Sequence, residues 1–170
     1  MLGFLFRTLT AEPARGAKLF AAVTAEARRP HWFVAGQVTD TLDGRFAMLS
    51  TVAALVLVRL ERDGDAGAAV SVALTERFIE VMESEHRELG LGDPALGKKV
   101  RKLVGALSAR TDKWRAAIAG ERPWDEVSRE SLHKGEVSPA GLDHCARELG
   151  QLWSALDKTD LAQIAEGRLP

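Results

Sequence analysis

Apolar residues recur every three or four positions along most of this chain, whereas the alternating pattern typical of a half-buried strand is absent. Such spacing places the apolar side chains on one face of a helix. The clearest examples are Phe46, Leu49, Ala53, Val56, Leu57 and Leu60 in the second predicted helix, and Leu96, Val100, Leu103, Val104 and Leu107 in the fourth. We therefore predict an all-α bundle of about six or seven helices. Residues 13–170 would form one helical domain, behind an N-terminal tail of residues 1–12.

Proline, glycine and capping residues mark where the predicted helices begin and end. Asp93, Pro123 and Ser138 each stand where a helix can open, because Asp and Ser cap free N–H groups and Pro suits the first turn. We expect Gly64 and Gly67 to interrupt the chain between the second and third helices. The other expected features are a first helix from Pro13 to just before Pro30, a connector over 30–39, a second helix opened by Asp40 and Asp43, and a last helix capped by Thr159.

Composition and charge narrow the class of protein. Hydrophobic residues make up 46% of the 170 residues and charged residues 28%, as in an ordinary soluble domain. The formal net charge of -1 disfavours DNA or RNA as the main partner, since proteins that bind polyanions are usually basic. The single cysteine, Cys145, excludes an internal disulfide and suits a reducing compartment. No apolar run approaches the roughly 20 residues of a transmembrane helix.

The N-terminus reads MLGFLFRTL and allows two interpretations. One is a tail that is disordered or docks on the core. The other is a weak membrane-touching segment that uses Leu2, Phe4, Leu5 and Phe6. A signal peptide is disfavoured, because the apolar stretch is short and its charge, Arg7, follows it.

The most enzyme-like string is GDPALGKK at 92–99, which matches the G-x-x-x-x-G-K part of a phosphate loop. A phosphate loop follows a strand, so that backbone N–H groups can surround the phosphates, whereas a helix is predicted here. Pro94 also removes one N–H donor, and Lys99 stands where Ser or Thr would bind magnesium. We favour a helix–helix turn in which Gly97 permits close packing, so a bulky residue at Gly97 should destabilise the junction.

Metal and nucleophile chemistry is not indicated by the sequence. The four histidines do not pair at helical spacing, so we expect no bound metal and no cofactor. They are His31, His86, His133 and His144. Cys145 is expected to be a packed thiol, since a nucleophilic cysteine needs a lowered pKa. No G-x-S-x-G elbow is present, and an enzyme is therefore disfavoured.

Two charged strings stand out, DTLDGRF at 40–46 and ESEHRELGLGD at 83–93. In the local interpretation, Asp40 and Asp43 cap a helix and Glu83 pairs with Arg87. In the alternative, groups from both strings converge into an ion-pair network that shapes a surface for a partner. The two interpretations differ in whether the strings meet in space.

The second interpretation predicts a specific cluster. A short glycine-rich link should make the second and third helices antiparallel, which places the start of the second beside the end of the third. Arg45 would then receive a carboxylate from Glu83, Glu88 or Asp93, which would offset its unfavourable place against the helix dipole. The groups expected to lie close together are Arg45, Arg87, Asp93 and Lys98.

The same strings resemble the signatures of the ubiquinol–cytochrome c chaperone family. DTLDGRF is followed by an apolar helix that ends in LVLVRL, and ESEHRELGLGDPALGKKVRK is similar to a second family signature, D-x-x-L-R-E-M-G-V-G-D-x-x-V-G-K. ARRPHWF and the ART-x-x-W segment at 109–114 stand in the expected order, so the resemblance covers about 19–118. Departures include His86 in place of Leu, and Thr51-Val52 in place of a Leu-His pair.

The resemblance implies an assembly factor for the cytochrome bc complex, complex III. In the family the client is newly made cytochrome b, and mitochondrial members act with a small partner protein near the ribosome exit. The residues that match the signatures are Asp40, Asp43, Gly44 and Arg45 in the first, and Arg87, Glu88, Gly90, Gly92, Asp93, Gly97 and Lys98 in the second. With Glu83 and Lys102, they are the candidate partner-binding residues.

We therefore expect a non-enzymatic, all-α chaperone that binds a client polypeptide. An apolar groove rimmed by charges would suit a client helix. The expected location is the cytoplasm, or the cytoplasmic face of the inner membrane through the N-terminal residues. The alternative is a diverged helical adaptor that binds a different client at the ribosome or the membrane surface.

Overall fold

The computed structural model describes residues 16–88, 90 and 93–170, and the side chains at 86, 87, 93, 94 and 96 fall outside that description. Within it the chain is helical and has no strand, which confirms the predicted all-α class. The α-helices are α1 (Ala17–Ala27), α2 (Pro30–Val34), α3 (Leu42–Leu60), α4 (Gly64–Glu88), α5 (Asp93–Ile118), α6 (Trp124–Leu132), α7 (Pro139–Lys158) and α8 (Leu161–Ala165). The N-terminal tail with Leu2, Phe4, Leu5 and Phe6, and the predicted helix start at Pro13, lie outside the described residues.

Helix α3 is the central element of the bundle and packs against α1, α4, α5, α6 and α7. The sequence predicted one apolar face, which includes Phe46 and Leu49, yet both are only partly buried. Met48, Val52 and Leu55, which lie off that face, are fully buried. A helix that is surrounded by neighbours needs apolar side chains on most of its circumference, so a single-face pattern underestimates its burial.

Helices α3 and α5 run parallel, with α4 returning between them. Arg110 of α5 donates to the Ser50 hydroxyl in the middle of α3 at 2.6 Å. Further along both helices, Arg115 binds Glu61, just beyond the end of α3, at 2.6 Å. The beginnings of α3 and α5 therefore lie at one end of the bundle, together with the end of α4.

The link between α3 and α4 is shorter than the break predicted from Gly64 and Gly67. A 3-10 turn, Glu61–Asp63, joins the helices directly, and α4 begins at Gly64. Gly67 does not break the chain but lies inside α4, where a Cβ would be 2.0 Å from the carbonyl oxygen of Leu60. The expected second break was wrong, because this glycine serves close packing of the two helices.

Segment 30–39, expected as a connector, contains the short helix α2. Pro30 occupies its first turn, which suits a residue without an N–H group. Trp32 is buried and donates its indole N–H to the carbonyl of Glu26 at 3.0 Å. This bond ties α2 to the end of α1.

The last helices are capped by side chains, though not all by the expected ones. Ser138 accepts from the backbone N–H of Gly141 at 3.1 Å, as its place before Pro139 predicts. The cap of α8 is Asp160, which accepts from the N–H of Gln163 at 2.9 Å, rather than Thr159. Thr159 instead ends α7, so its hydroxyl donates back to the carbonyl of Ala155.

Arg59 connects the end of α3 to the end of α7. Its guanidinium is buried and donates to the carbonyls of Leu156 at 3.1 Å and Thr159 at 2.7 Å. The same group binds the carboxylate of Asp63 at 2.5 Å. The carbonyl of Leu156 also accepts the backbone N–H of Thr159, so the arginine adds a second donor there and supplies a donor to the carbonyl of Thr159 at the end of the helix.

Candidate functional site

The start of α3 carries the first charged string, and its cap is a threonine. The Thr41 side chain accepts from the N–H of Gly44 at 3.2 Å. The prediction that Asp40 and Asp43 cap this helix was wrong. Thr41 has the extended backbone conformation that an N-cap needs, and both aspartates are held by cations instead.

Asp43 brings three parts of the chain together at this end of the bundle. Lys134, in the link between α6 and α7, donates to its carboxylate at 2.8 Å. The hydrogen bond and charge of Lys134, with a smaller contribution from Lys99 near the start of α5, lower the pKa of Asp43. The start of α5 therefore lies within electrostatic reach of the start of α3.

Arg45 does not form the ion pair that the convergence hypothesis assigned to it. Its guanidinium binds Asp40 at 2.7 Å, and both side chains are mostly exposed. In the described part of the chain, neither Glu83 nor Glu88 pairs with it, and its partner Asp40 lies in the loop just before α3. The side chains of Arg87 and Asp93 lie outside the described residues, as does Gly92.

Several cations line the beginning of α5 and remain exposed to solvent. They are Lys98, Lys99, Arg101 and Lys102. Leu42, which is 68% exposed, begins α3 at the same end of the bundle. We name this surface the motif end, and define it by Leu42, Asp43, Arg45, Lys98, Lys99, Lys102 and Lys134.

Two of the signature glycines, Gly44 and Gly97, differ in how closely their backbones are packed. At Gly44 a Cβ would lie 1.9 Å from the carbonyl oxygen of Thr39, so the backbones are in close contact. Among the atoms that the structure describes, a Cβ at Gly97 would meet only the Arg101 guanidinium, at 3.7 Å. The expected close packing at Gly97 was wrong, because this residue is already inside α5 and partly faces solvent. Gly90, which follows α4, has a φ of 82°.

We expect Gly97→Ala to raise the melting temperature. Alanine is favoured over glycine in a helix interior by about 1 kcal/mol, and the added methyl group has room. For a chain of this size the increase should be about 2–4 °C, measured by circular dichroism. Gly105→Ala, another α5 position with open space around the Cβ, should give a similar increase. A decrease at Gly97 alone would show a packing role there.

A groove of about 520 Å³ runs between α4 and α5, on the half of the bundle away from the motif end. Small side chains of α4 form one wall, and two leucines form the floor. These residues are Gly64, Ala68, Ser71 and Thr75 in the wall, and Leu57 and Leu107 in the floor. Sequence reasoning missed the groove, although the spacing of four, three and four between small residues along α4 was a readable signal.

Two histidines that are far apart in sequence meet where α2 packs against α7. Nδ1 of His31 lies 3.0 Å from Nε2 of His144, and the His31 ring also packs against Trp32. Beside them Cys145 is buried, and burial raises the pKa of its thiol to about 11, as expected of a packed thiol. Helical spacing alone could not reveal this histidine contact.

The histidines predict how stability depends on pH. Burial, with the charges of Arg29 and His144, lowers the pKa of His31 below its ordinary value of 6.5, although Glu148 opposes this shift. Protonation therefore favours the unfolded chain, so stability should be full above pH 6.5 and decrease as the pH falls below it. The pKa of His133 is also lowered, by burial and by Arg129, and acts in the same direction.

The check is urea denaturation at several pH values, with His31→Gln as the test. Glutamine keeps hydrogen-bonding capacity toward His144 but does not titrate, so the loss of stability on acidification should become smaller. His133→Gln should remove the other part of the dependence. An unchanged pH dependence in the His31→Gln protein would contradict the assignment.

In the part of the chain that the structure describes, no three His, Cys, Asp or Glu side chains are grouped to hold a metal ion. The phosphate-loop-like string starts α5 and is preceded by α4 instead of a strand. Among the described helices, none is both long and apolar enough to cross a membrane.

Comparison with known proteins gives two findings. A sequence model of the family described as ubiquinol-cytochrome C chaperone matches residues 35–169. A crystal structure of the Cbp3 homolog from Brucella abortus superposes with a TM-score of 0.77 at 25% sequence identity, and the alignment covers 99% of this chain and 95% of that one. No curated protein sequence matches. Because the family match spans most of the chain, including both signatures and the groove, this protein belongs to the ubiquinol–cytochrome c chaperone family.

Proposed function

We infer that this chain is a non-enzymatic assembly chaperone whose client is newly made cytochrome b of the cytochrome bc complex. The family match over 35–169 is the observation that carries this proposal. The shape of the Cbp3 homolog, which this chain shares over nearly its whole length, supports it.

The described surfaces suit a role in holding a polypeptide. Cytochrome b is a membrane protein, so its apolar segments need cover before insertion. The groove between α4 and α5 offers an apolar floor, and the motif end offers exposed cations and the exposed Leu42. These two surfaces provide separate places for a client and for a second partner.

The second partner belongs to the same proposal. The row of cations from Lys98 to Lys102 would contact the ribosome, a small partner protein or the anionic cytoplasmic face of the membrane. An apolar contact with that membrane would come from the N-terminal residues Leu2, Phe4, Leu5 and Phe6. The chain would thus act in the cytoplasm or at the cytoplasmic face of the inner membrane. The alternative is an adaptor with a different client, for which the departures from the family signatures leave room; those at Thr51 and Val52 are buried in the core and do not contact a client.

Deletion of the gene in the native cell tests the proposal. We expect loss of assembled cytochrome bc complex and of b-type haem absorbance, with both restored by the wild-type gene. A tagged protein should also capture cytochrome b, identified by mass spectrometry. Normal complex assembly in the deletion strain, with capture of another client, would favour the adaptor.

A further inference from the structure

The walls of the groove between α4 and α5 contain hydroxyl-bearing residues, but two of these hydroxyls are already hydrogen-bonded within their own helices. Thr75 donates its hydroxyl to the carbonyl of Ser71 at 2.9 Å, and Thr111 donates to the carbonyl of Leu107 at 2.9 Å. Both hydroxyls are therefore satisfied by their own helices, and these threonines require no hydrogen bond from a ligand. Together with the leucine floor, these two threonines accept apolar side chains without leaving their hydroxyls unpaired.

The dimensions of the groove match one face of a helix. Gly64 to Thr75 is a stretch of twelve residues, which is about 16 Å along α4, or roughly three helical turns. Small residues on one face of α4 let another helix approach closely, as they do between helices in membranes. Val72 stands at the rim and is 56% exposed, although it is a large apolar residue.

Charge is confined to one end of the groove. Arg115 binds Glu61 at 2.6 Å and Asp112 at 2.6 Å, so two carboxylates face one guanidinium and leave a net negative charge. Both carboxylates stay about half exposed or more, at 46% and 66%. Among the groove-lining residues that the structure describes, those toward Thr75 and Val104 are uncharged.

We propose that this groove holds an apolar helix with a Lys/Arg flank, which lies at the Glu61–Asp112 end. Membrane-spanning helices carry such a basic flank on their cytoplasmic side, and its charge complements this end of the groove. The inference rests on the proposed function and names its partner surface, since a client membrane helix before insertion has this chemistry. Three turns cover about half of the roughly 20 residues of a transmembrane helix, so the client remains partly free for release.

A photo-crosslinking experiment on the full chain tests the occupant. The full-length protein carries p-benzoylphenylalanine in place of Val72, and the probe is a synthetic Leu/Ala helix with two lysines at one end, in mild detergent. We expect a crosslink between the two. Ala68→Trp and Ser108→Trp, both at exposed lining positions, should fill the groove and abolish the crosslink while circular dichroism shows an intact fold.

Matched control variants distinguish binding in the groove from nonspecific binding of the apolar probe elsewhere on the protein. Ser154→Trp, at an exposed position in the depression formed by α6 and α7, should leave the crosslink unchanged. Asp112→Lys should weaken binding of the lysine-flanked probe, measured by fluorescence anisotropy, by up to about fivefold. A probe with glutamates in place of the lysines should bind more weakly to the wild type and gain affinity in Asp112→Lys.

Several results would overturn the inference. They are crosslinks that join two copies of this chain, crosslinks to its own residues 1–15 that the probe does not displace, and crosslinks that the tryptophans leave unchanged. Complementation of the deletion strain separates this inference from the proposed function. If the double variant Ala68→Trp/Ser108→Trp restores the bc complex as the wild type does, the groove inference fails and the chaperone proposal stands. If the deletion strain assembles the complex without any gene copy, the chaperone proposal itself fails.

Discussion

Replacing Arg59 with alanine should lower the free energy of unfolding by about 3–5 kcal/mol, the usual cost of removing one partner from a buried charged network. The guanidinium is only 7% exposed and has three partners on two separate parts of the chain. Its removal would take away the donor that binds the carbonyl of Thr159 and the cation that pairs with Asp63, and would leave the carbonyl of Leu156 only the N–H of Thr159. The melting temperature should fall by about 6–15 °C, measured by circular dichroism and confirmed by urea denaturation.

Arg62 provides the matched control for Arg59. It lies one turn further along, and it also reaches the end of α7, through an ion pair with Asp157. Both members of this pair are about half exposed, so Arg62→Ala should cost no more than about 1 kcal/mol. Equal effects of the two substitutions would show that burial of Arg59 is not what makes its network strong.

The fold class and most helix boundaries could be predicted from the sequence because they depend on local physics. Apolar spacing and the openings at Asp93, Pro123 and Ser138 each use interactions within a few residues, and α5, α6 and α7 begin at or next to those positions. The errors arose where two local explanations compete. Thr41 and Asp40 are both residue types that can cap a helix. In the structure Thr41 caps α3, and Asp40 instead pairs with Arg45.

The surfaces were harder to predict than the helices, because they depend on contacts between distant parts of the chain. Lys134 binds Asp43 across 91 positions, and no periodicity relates these residues. Arg59 follows a long apolar run in the sequence, and only its distant partners at Leu156 and Thr159 explain why a cation is buried there. The motifs marked the start of α3 as a charged surface, but the pair that forms there, Arg45 with Asp40, lies within the first string, and the convergence of the two strings stays a prediction.

Replacing Gly44 with alanine should destabilise the protein by about 1–3 kcal/mol, the usual cost of overpacking. The new Cβ would lie 1.9 Å from the carbonyl oxygen of Thr39 and 2.8 Å from its hydroxyl, so the loop before α3 must move. Movement of that loop would also weaken the cap that Thr41 provides to the N–H of Gly44. Thermal unfolding gives the measurement.

The sign of the change decides between two effects at Gly44. Helix propensity alone favours alanine by about 1 kcal/mol, as expected at Gly97. A decrease in melting temperature for Gly44→Ala, beside an increase for Gly97→Ala, would show that close packing outweighs propensity at the first position only. The glycine of DTLDGRF would then be required by the fold rather than by a partner. If Gly44→Ala instead melts like the wild type but fails to restore the bc complex in the deletion strain, this glycine contacts the partner directly.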